Sequence, residues 1–576
     1  MIVNYNHKKT MKKSIILKGA ACLLAAGALT SCSEDYLALE PESSVSTGIA
    51  TSTVEYASYI VNCLGCTMYY IPNGWAPNYP QGNQGEASIM TRYGESYGQD
   101  EYFNTTGNPD GENLRLRYLA NSRSANNAFP WNFYYGIIGQ VNEALSRVDE
   151  ATGSDEMRNF VKAQMLTFRA HAYTRLLQIY GPRWEDSENG ERVTVVLRLE
   201  PSTQDLPASS MNKVLEQIYA DLDLALDLYS KSGNSSRINA SSTDKYIAAG
   251  IYARAALLKK DWDTAETMAR KAREGREPMS GDEYLNGFCE ANAEWMWYGS
   301  NASDDELGYA NWGCFNACNG IYPILWTEYP GAGAINIDLY EQIDENDIRR
   351  QLFLMPDKLP NVKLENWYKK TNAETMNFYD AKGNKPMSRA AMEWCATRTP
   401  TITGSGEVYP AYSGDDGSGT MRTPVAIFGA QTKFFAIGGY SRSQYPWMRA
   451  GEMYLTEAEA AAELGHTQAA QDALNAVISK RIPGYKCTLT GQALIEEIRL
   501  QRRIELWGEG FNFFDMKRWN LPIVRKPFDP NTQTGNIPAY SAGTVLPTDG
   551  NHWVFAVPSS EYEYNDLVHE EDYLYP

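Results

Sequence analysis

Positive charge is scarce in this sequence of 576 residues, which has 52 Lys and Arg against 71 Asp and Glu and a formal net charge of −19. Because binding to nucleic-acid phosphates needs clustered Lys and Arg, nucleic acid is not predicted as a partner. Common enzyme signatures are also missing: the Gly-x-Ser-x-Gly elbow, the phosphate-binding Gly loop and the His-Glu-x-x-His motif. The paired carboxylates of a glycoside hydrolase remain an alternative, since a sequence gives no distance between two acids.

No apolar run reaches membrane-spanning length. The stretch near the N-terminus, Gly19 to Leu29, has 11 residues, whereas a spanning helix needs about 20. It follows a basic start at Met11 and precedes small residues, which is the pattern of a secretory signal. We therefore predict that residues 1–31 are a signal peptide, with an uncleaved anchor helix as the alternative.

The end of that segment suggests lipid attachment. Leu29-Thr30-Ser31-Cys32 resembles the lipobox of bacterial lipoproteins, which implies acylation of Cys32. Ser33-Glu34-Asp35 resembles the acidic tag that sends Bacteroidetes lipoproteins to the outer face of the cell. Together they predict a lipid-anchored protein of the outer membrane that faces the exterior.

Cysteine is sparse. Nine cysteines include Cys22 in the signal and Cys32, and the seven others predict no dense disulfide framework. Cys63-x-x-Cys66 is a candidate redox or zinc half-site, with Cys314 and Cys318 as a second pair. No His lies near them, so packing or an incidental disulfide is favoured over metal binding. The Asp- and Gly-rich stretch 413–419 is favoured as a solvated turn over a calcium site. No cofactor is predicted.

Helical periodicity dominates what is present. Amphipathic runs predict helices near 131–148, 156–180, 209–230, 244–258, 262–275, 446–464, 467–480 and 491–508. The remaining stretches 66–127, 277–445 and 521–576 are rich in Gly, Asn, Asp, Tyr and Trp. Their aromatic residues offer large areas to bury, so these stretches are predicted to be ordered loops.

Two segments repeat each other at an offset of 205 positions. Each predicts a helix, a tight turn and a second, antiparallel helix, with small or apolar residues at i, i+4 and i+7 of both helices. The matched positions are Ala249, Ala253, Ala256, Ala265, Ala269 and Ala272 in the first segment, and Tyr454, Ala458, Ala461, Ala470, Leu474 and Val477 in the second. Such paired helices are typical of tetratricopeptide-like hairpins that stack on one another.

The predicted fold is therefore mostly α: a tetratricopeptide-like scaffold of helical hairpins with long inserted loops and a few short strands. No linker or charge run divides the chain, so residues 32–576 are predicted to form one discontinuous domain. The scaffold is assigned to 131–275 and 446–519, and the ligand-loop regions to 66–127 and 277–445.

Several stretches, taken in order and spacing, resemble the SusD/RagB family of outer-membrane nutrient-binding lipoproteins. The resemblance begins at CSEDYLALEP after the lipobox and continues with WNFYYGIIGQVNEAL at 131–145 and AQMLTFRAHAYTRLLQIYG at 163–181. Its most specific parts are YPWMRAGEMYLTEAEAAAELG at 445–465 and IRLQRRIELWGEGFNFFDMKRW at 498–519. Gln501 and Asn512 depart from the residues that the family often has there.

This resemblance implies a function and partners. Members capture glycans, or in some cases peptides, at the cell surface and act as lids on a SusC-like TonB-dependent transporter. The expected ligand is a poly- or oligosaccharide, and the anchor is outer-membrane lipid. Peptide binding and a membrane-tethered glycoside hydrolase remain the alternatives.

Aromatic loops suit sugar binding, because a pyranose packs its apolar face on Trp or Tyr while its hydroxyls need polar partners. Two stretches without amphipathic periodicity supply such residues. The predicted ligand-binding residues are Tyr70, Asn73, Trp75, Tyr79 and Arg92 in the first, and Tyr298, Trp312, Asn316 and Trp326 in the second. For each ring the alternative is packing of the loop onto the scaffold.

Other tryptophans and one charged cluster are predicted to be structural. Trp295 and Trp297 alternate as in a strand and are assigned to the core; Trp131, Trp262, Trp507 and Trp519 are assigned to the scaffold. Arg502, Glu505 and Glu509 lie at helical spacing, which predicts ion pairs on one helix face. The family resemblance gives this cluster a structural role, as a link between helices.

Overall fold

The computed structural model describes most of the chain after the N-terminal segment. The described residues are 52–69, 85–102, 121–285, 288–299, 312–317, 333–354, 411–413, 425–427, 429–431, 433–434, 443–527, 535, 537, 542–545 and 554–573. The predicted signal peptide and Cys32 lie outside these ranges, so both stay predictions. The domain limits are likewise a prediction.

Helices form most of the described structure, which confirms the mostly α fold. They are α1 Val54–Thr67, α2 Gly85–Ile89, α3 Ala125–Val148, α4 Asp155–Tyr180, α5 Met211–Ser230, α6 Lys245–Lys259, α7 Trp262–Ala272, α8 Gly281–Tyr284, α9 Trp312–Asn316, α10 Ile337–Tyr340, α11 Ala450–Glu463, α12 Thr467–Ile478, α13 Gly491–Glu505, α14 Asn512–Trp519 and α15 Ser559–Tyr564. A π-helical turn, Met90–Glu95, continues α2, and 3-10 turns occupy Trp184–Asp186, Ile348–Leu352 and Glu570–Tyr573. None of the described helices is both long enough and apolar enough to cross a bilayer.

Side-chain caps explain several helix starts. Ser154 accepts a hydrogen bond from Met157 N at 3.2 Å before α4, and Asp244 accepts one from Ile247 N at 3.0 Å before α6. Such caps satisfy backbone N–H groups that have no partner inside the helix. They place the starts within one residue of the predicted positions 156 and 244.

The hairpin repeat is confirmed. All twelve matched residues are buried. Eleven of them, all alanine or aliphatic, are at 0% exposure, where α6 contacts α7 and α11 contacts α12. Each turn uses one left-handed residue at the same place in the repeat, Lys260 with φ 59° and Gly465 with φ 77°. The next N–H closes both turns alike: Asp261 N donates to Ala256 O at 2.9 Å, and His466 N to Ala461 O at 2.8 Å.

Short strands complete the fold. They are β1 Glu101–Tyr102, β2 Val193–Val196, β3 Ala208–Ser210, β4 Trp295–Gly299, β5 Ala334–Ile335, β6 Phe353–Leu354, β7 Ala411–Ser413, β8 Val425–Ile427, β9 Ala430–Gln431, β10 Tyr445–Arg449, β11 Ile523–Arg525 and β12 Gly543–Val545. One sheet has the order β1-β5-β9-β6, and the other pairs are β10-β4, β11-β12, β2-β3 and β7-β8. Every pairing between these strands is antiparallel.

The predicted helix 446–464 is wrong at its start, because residues up to Arg449 form β10. This strand pairs with β4, and the ring centroids of Trp447 and Trp297 lie 5.2 Å apart. Aromatic residues favour a pleated, buried surface, and the pairing partner is distant in sequence. Trp295 and Trp297 are both buried in the core, as predicted.

The predicted loop region 66–127 also contains unpredicted helix. Every residue of α2 and of the π-helical turn is buried, so no polar face repeats along the sequence to reveal the helix. The preceding α1 was not predicted either, although its buried residues Val54, Ala57, Val61 and Leu64 recur at helical spacing.

The turn of the second hairpin offers a test. No heavy atom lies within 4 Å of the position that a Cβ would occupy at Gly465, so only the left-handed backbone opposes a side chain. We expect Gly465→Ala to lower the free energy of unfolding by about 1 kcal/mol. Gly139→Ala, in α3 with equally open space, should instead raise it by about 0.5–1 kcal/mol. Urea unfolding of both variants checks this, and two changes of the same sign would contradict it.

Candidate ligand-binding site

The first predicted ligand segment leaves and rejoins the scaffold at one place. Residues 70–84, which lie outside the described residues, connect Tyr69 to Gly85. Glu86 N donates to Met68 O at 2.7 Å across the two ends. Gly85 has φ +59°, and a Cβ there would lie 2.1 Å from Met68 O, so only glycine fits. The two ends of this segment are therefore held together by the backbone itself.

The segment that carries Trp326 has its ends joined by one residue. Residues 318–332 lie outside the described residues and connect α9 to Gly333. The side chain of Gln431 donates from Nε2 to Asn316 O at 3.0 Å, and its backbone N donates to Gly333 O at 3.1 Å. Gln431 thus fixes both ends of the segment to β9.

Trp312 connects these two places. Its Nε1 donates to Thr91 Oγ1 at 2.9 Å, next to α2. Its ring centroid lies 5.4 Å from that of Phe434, which precedes segment 435–442, and 4.4 Å from that of Tyr445, which lies shortly after the segment. Four segments outside the described residues, 70–84, 300–311, 318–332 and 435–442, therefore begin or end around one buried tryptophan.

A further contact brings the start of segment 300–311 to the same place. A Cβ built on Gly299, the last residue of β4, would lie 3.1 Å from the Cβ of Tyr69. We call this group of segment ends the base cluster; it comprises Tyr69, Gly85, Glu86, Thr91, Gly299, Trp312, Asn316, Gly333, Gln431, Phe434 and Tyr445.

The structure locates some of the predicted ligand-binding residues. Tyr70, Asn73, Trp75, Tyr79 and Trp326 lie outside the described residues and stay predictions. Tyr298 and Asn316 are half-buried at the base cluster, while Arg92 and Trp312 are only 8% and 5% exposed. For Trp312 the structure shows packing onto the scaffold, which is the alternative to ligand contact.

A buried carboxylate anchors the base cluster to the scaffold. Glu86 Oε1 lies 3.1 Å from Arg175 Nε and 3.3 Å from His171 Nε2, both in α4, and Oε2 accepts a hydrogen bond from Tyr134 at 2.7 Å. Burial opposes ionisation of Glu86, but the neighbouring charges and hydrogen bonds outweigh it and lower its pKa to about 2. Since burial also lowers the pKa of His171, Arg175 is the charge that keeps Glu86 ionised at pH 7.

The most specific stretch of the family resemblance, 498–519, contacts Gln99 and Asp100, which follow the π-helical turn. Arg503 pairs with Asp100 at 2.5 Å, and Trp507 Nε1 donates to Asp100 O at 2.9 Å. Asn512, one of the two departures, accepts from Gln99 N at 2.6 Å and also donates to Asp100. The other departure, Gln501, accepts from Arg349 at 2.5 Å. Both amides therefore take part in buried polar contacts.

Behind the base cluster lies a charge-balanced group of eight side chains, each at most 2% exposed. Its members are Arg349, Lys433, Arg449 and Arg481, with Glu294, Asp347, Glu505 and Glu509. Burial lowers the pKa of Lys433 to about 8, while the three arginines hold the pKa of Glu505 well below its usual range against the effect of burial. Every charge has a partner, which fits the predicted structural role.

The predicted pairing of Arg502 within its own helix is wrong. Arg502 pairs with Asp515 of α14 at 2.7 Å, while Glu505 and Glu509 face Arg449. Helix α13 ends at Glu505, three residues before the predicted end, so helical spacing does not apply to Glu509. The link between helices is confirmed, although the partners differ.

No disulfide joins the described cysteines. Cys63 and Cys66 are exposed on α1, and Cys289 and Cys487 are buried. In the described part of the chain, no group of three or more His, Cys, Asp or Glu could hold a metal ion. Cys314, Cys318, Cys395 and the stretch 414–419 are not among the residues whose side chains are described.

Among the residues of the base cluster that sequence reasoning missed, Glu86, Thr91 and Gln431 make its side-chain hydrogen bonds. Each acts through a partner 48 to 221 positions away, and none belongs to a periodic run. Only the glycine that precedes Glu86 marks the position as a turn. Nothing in the spacing identifies the other two.

The anchor Glu86 predicts a specific pH dependence. A fall in pKa from 4.5 to about 2 corresponds to about 3 kcal/mol of folding free energy. Because the folded-state pKa is the lower one, this contribution is complete above pH 4.5 and is lost as the pH falls toward 2. We expect Glu86→Gln to be less stable than wild type by about 3 kcal/mol at pH 7, with the gap narrowing below pH 4.5.

Urea unfolding at several pH values between 7 and 3 measures the gap. Glu143→Gln is the matched control, since Glu143 makes a half-exposed i,i+4 pair with Arg147 and should cost under about 1 kcal/mol. If the difference in unfolding free energy between wild type and Glu86→Gln were equal at pH 7 and pH 3, the role of Glu86 as an ionised anchor would be contradicted.

Two protein-family models match this chain. The model described as the SusD family matches residues 327–576, and one described as "Starch-binding associating with outer membrane" matches residues 78–257. Among curated proteins, no match to this chain is found.

Solved structures share the fold along nearly the whole chain. A SusD-like carbohydrate binding protein from Bacteroides vulgatus matches with a TM-score of 0.67 and 20% identity, over 90% of this chain and 98% of that one. A SusD superfamily protein from Bacteroides thetaiotaomicron matches with a TM-score of 0.64 and 19% identity, over 90% and 99%. One from Bacteroides fragilis matches with a TM-score of 0.58 and 17% identity, over 90% and 99%.

At these identities the structures establish the shared fold, whereas the family models rest on the sequence itself. The two models match separate segments that together span most of the chain. They include most of the stretches that carry the resemblance, among them 131–145, 163–181 and 498–519. The chain belongs to the SusD/RagB family.

Proposed function

We propose that this protein is a surface lipoprotein that captures a poly- or oligosaccharide and delivers it to a SusC-like TonB-dependent transporter without cleaving it. The observation that carries the proposal is the base cluster. Segments 70–84 and 318–332, which hold most of the predicted ligand residues, have their ends fixed close to one buried ring, Trp312. Side chains from both segments can thus contribute to one ligand surface.

The residues within these segments suit a sugar ligand. Segment 70–84 contains Tyr70, Trp75 and Tyr79, and segment 318–332 contains Tyr322 and Trp326. Such rings cover the C–H faces of pyranoses, while neighbouring amides and hydroxyls bond the sugar oxygens. The descriptions of two matches support the same ligand class. One matched structure is described as a carbohydrate binding protein, and one family model is described as starch-binding.

The proposed anchor is compatible with the described N-terminal end of the fold. Nineteen residues separate Cys32 from Ser52, and an extended chain spans at most about 3.5 Å per residue. The tether can therefore be up to about 65 Å long. This length is enough for the base cluster to lie away from the lipid. The outer-membrane association named in one family model agrees with this location.

The charge-balanced group supports capture without hydrolysis. The acids of the charge-balanced group are buried and paired with arginine or lysine, so they offer no free acid and base to a glycosidic bond. The proposed mechanism is retention of the polymer close to the transporter, where raised local concentration matters more than tight binding at a single site.

A glycan panel tests the proposal. Affinity electrophoresis and calorimetry should show binding to at least one polysaccharide, and incubation should release no new reducing ends. Trp75→Ala and Trp326→Ala should each weaken binding by about 1–3 kcal/mol, the typical cost of losing a central aromatic contact. Tyr564→Ala is the control, since this ring is 82% exposed on α15 and lies outside the proposed surface.

The outcomes separate the alternatives. Steady release of reducing ends would identify a tethered glycoside hydrolase. Binding to peptides and to no glycan would identify a peptide-binding member of the family. Full glycan affinity in both tryptophan variants would remove Trp75 and Trp326 from the binding surface.

A further inference from the structure

A basic cleft opens in the helical scaffold, apart from the segments assigned to the glycan. It lies between the end of α4, the turn Trp184–Asp186, α6 and the region of α13 and α14. Its enclosed part has a volume of about 40 Å³, and it is open to solvent on one side. Seven cationic side chains line it, against two acids: Arg175, Arg183, Arg254, Lys260, Arg502, Lys517 and Arg518, with Glu185 and Asp515. This excess is notable in a chain of net charge −19.

Five of these cations already have carboxylate partners, some of them outside the cleft. Arg254 pairs with Glu452 at 2.6 Å, Arg502 with Asp515 at 2.7 Å, and Arg183 with Asp186 at 2.7 Å. Arg518 pairs with Glu459 and Asp515, and Lys260 with Glu185 at the half-exposed mouth. These five are therefore neutralised without any ligand.

Lys517 and Arg175 differ from these five cations in their partners. Lys517 is 4% exposed, and its Nζ donates to two carbonyls, Gln178 O at 2.9 Å and Gly181 O at 2.6 Å. No carboxylate in the described part of the chain forms an ion pair with it. Arg175 is equally buried and shares Glu86 with His171, and its Nη2 has no hydrogen-bond partner. The buried charge of Lys517 thus has hydrogen bonds but no described carboxylate partner, and one buried guanidinium N–H of Arg175 has no hydrogen bond. Both are costly unless an anion completes them.

The local electrostatics agree with this geometry. Burial, together with the charge of Arg183, lowers the pKa of Lys517 to about 7. At the mouth, burial and the charges of Arg518 and Arg183 lower the pKa of Lys260 as well. An anion in the cleft would favour the charged form of Lys517 and raise its pKa.

Apart from Gln178, the remaining lining is apolar. Arg254 and Arg502 lie over the ring of Phe511, 5.4 and 5.3 Å from its centroid, and Arg175 lies 5.1 Å from that of Phe514. Further apolar wall comes from Pro182, Trp184, Leu257 and Leu258. A ligand with both an oxyanion and an apolar part matches such a lining better than a free inorganic ion.

We propose that this cleft binds a small organic oxyanion, with its carboxylate or phosphate group at Lys517 and Arg175 and its apolar part against Leu257, Leu258 and Trp184. The proposal does not rest on glycan capture. It predicts an anion requirement, a single site and proton uptake on binding above pH 7.

Isothermal titration calorimetry of the full mature chain tests it with benzoate, inorganic phosphate and neutral benzamide. Benzoate should bind saturably at one site, and benzamide should bind at least tenfold more weakly. At pH 8 the observed enthalpy should change with the ionisation enthalpy of the buffer, because Lys517 takes up a proton when benzoate binds. Phosphate binding equal to that of benzoate would show that the oxyanion alone is recognised.

Variants locate the site. Lys517→Met should weaken benzoate binding at least tenfold, whereas Lys231→Met, which removes an exposed lysine paired with Asp227, should leave it unchanged. If Lys517→Met does not fold, Trp184→Ala, at the half-buried wall, should weaken benzoate while the fold is retained. The proposal is overturned if neither benzoate nor phosphate binds saturably, if benzamide equals benzoate, or if folded cleft variants bind as wild type.

Discussion

The ion pair between Glu86 and Arg175 is the contact on which the arrangement of the ligand segments depends. A carboxylate in the core is tolerated only when charged and hydrogen-bonded partners surround it. Glu86 finds them in α4 and Tyr134, and its own backbone N–H closes segment 70–84 onto Met68. Because the buried charge of Glu86 needs these partners, the end of segment 70–84 is held against α4. Thr91, a few residues further along the chain, accepts a hydrogen bond from Trp312 and so links this end to the tryptophan.

The scaffold meets the complementary need for rigidity. Alanines at matched positions let α6, α7, α11 and α12 approach closely, and the charge-balanced group ties Lys433 and β10 to α13 and the turn that follows it. Buried pairs of this kind contribute little net stability compared with apolar residues, but breaking one leaves an uncompensated charge. We infer that they fix how the segment ends are placed, while the helices as a whole supply most of the buried apolar residues.

The sequence predicted features that repeat locally and missed those that depend on distant partners. The hairpins follow from a spacing visible within about thirty residues, and their turns fall at matching positions. Helix α2 was missed because all its faces are buried, and β10 because its partner β4 lies some 150 residues earlier. Trp312 illustrates the limit for the site: an aromatic ring in a loop-like stretch has the same sequence signal whether it packs inward or meets a ligand.

Amide hydrogen exchange with and without the best-binding glycan tests the central claim, that segments with a shared base act as one ligand surface. The account predicts that the ligand slows exchange in 70–84 and 318–332 together and leaves the hairpins α6–α7 and α11–α12 unchanged. Slowed exchange in only one of the two segments, or only in the hairpins, would contradict it.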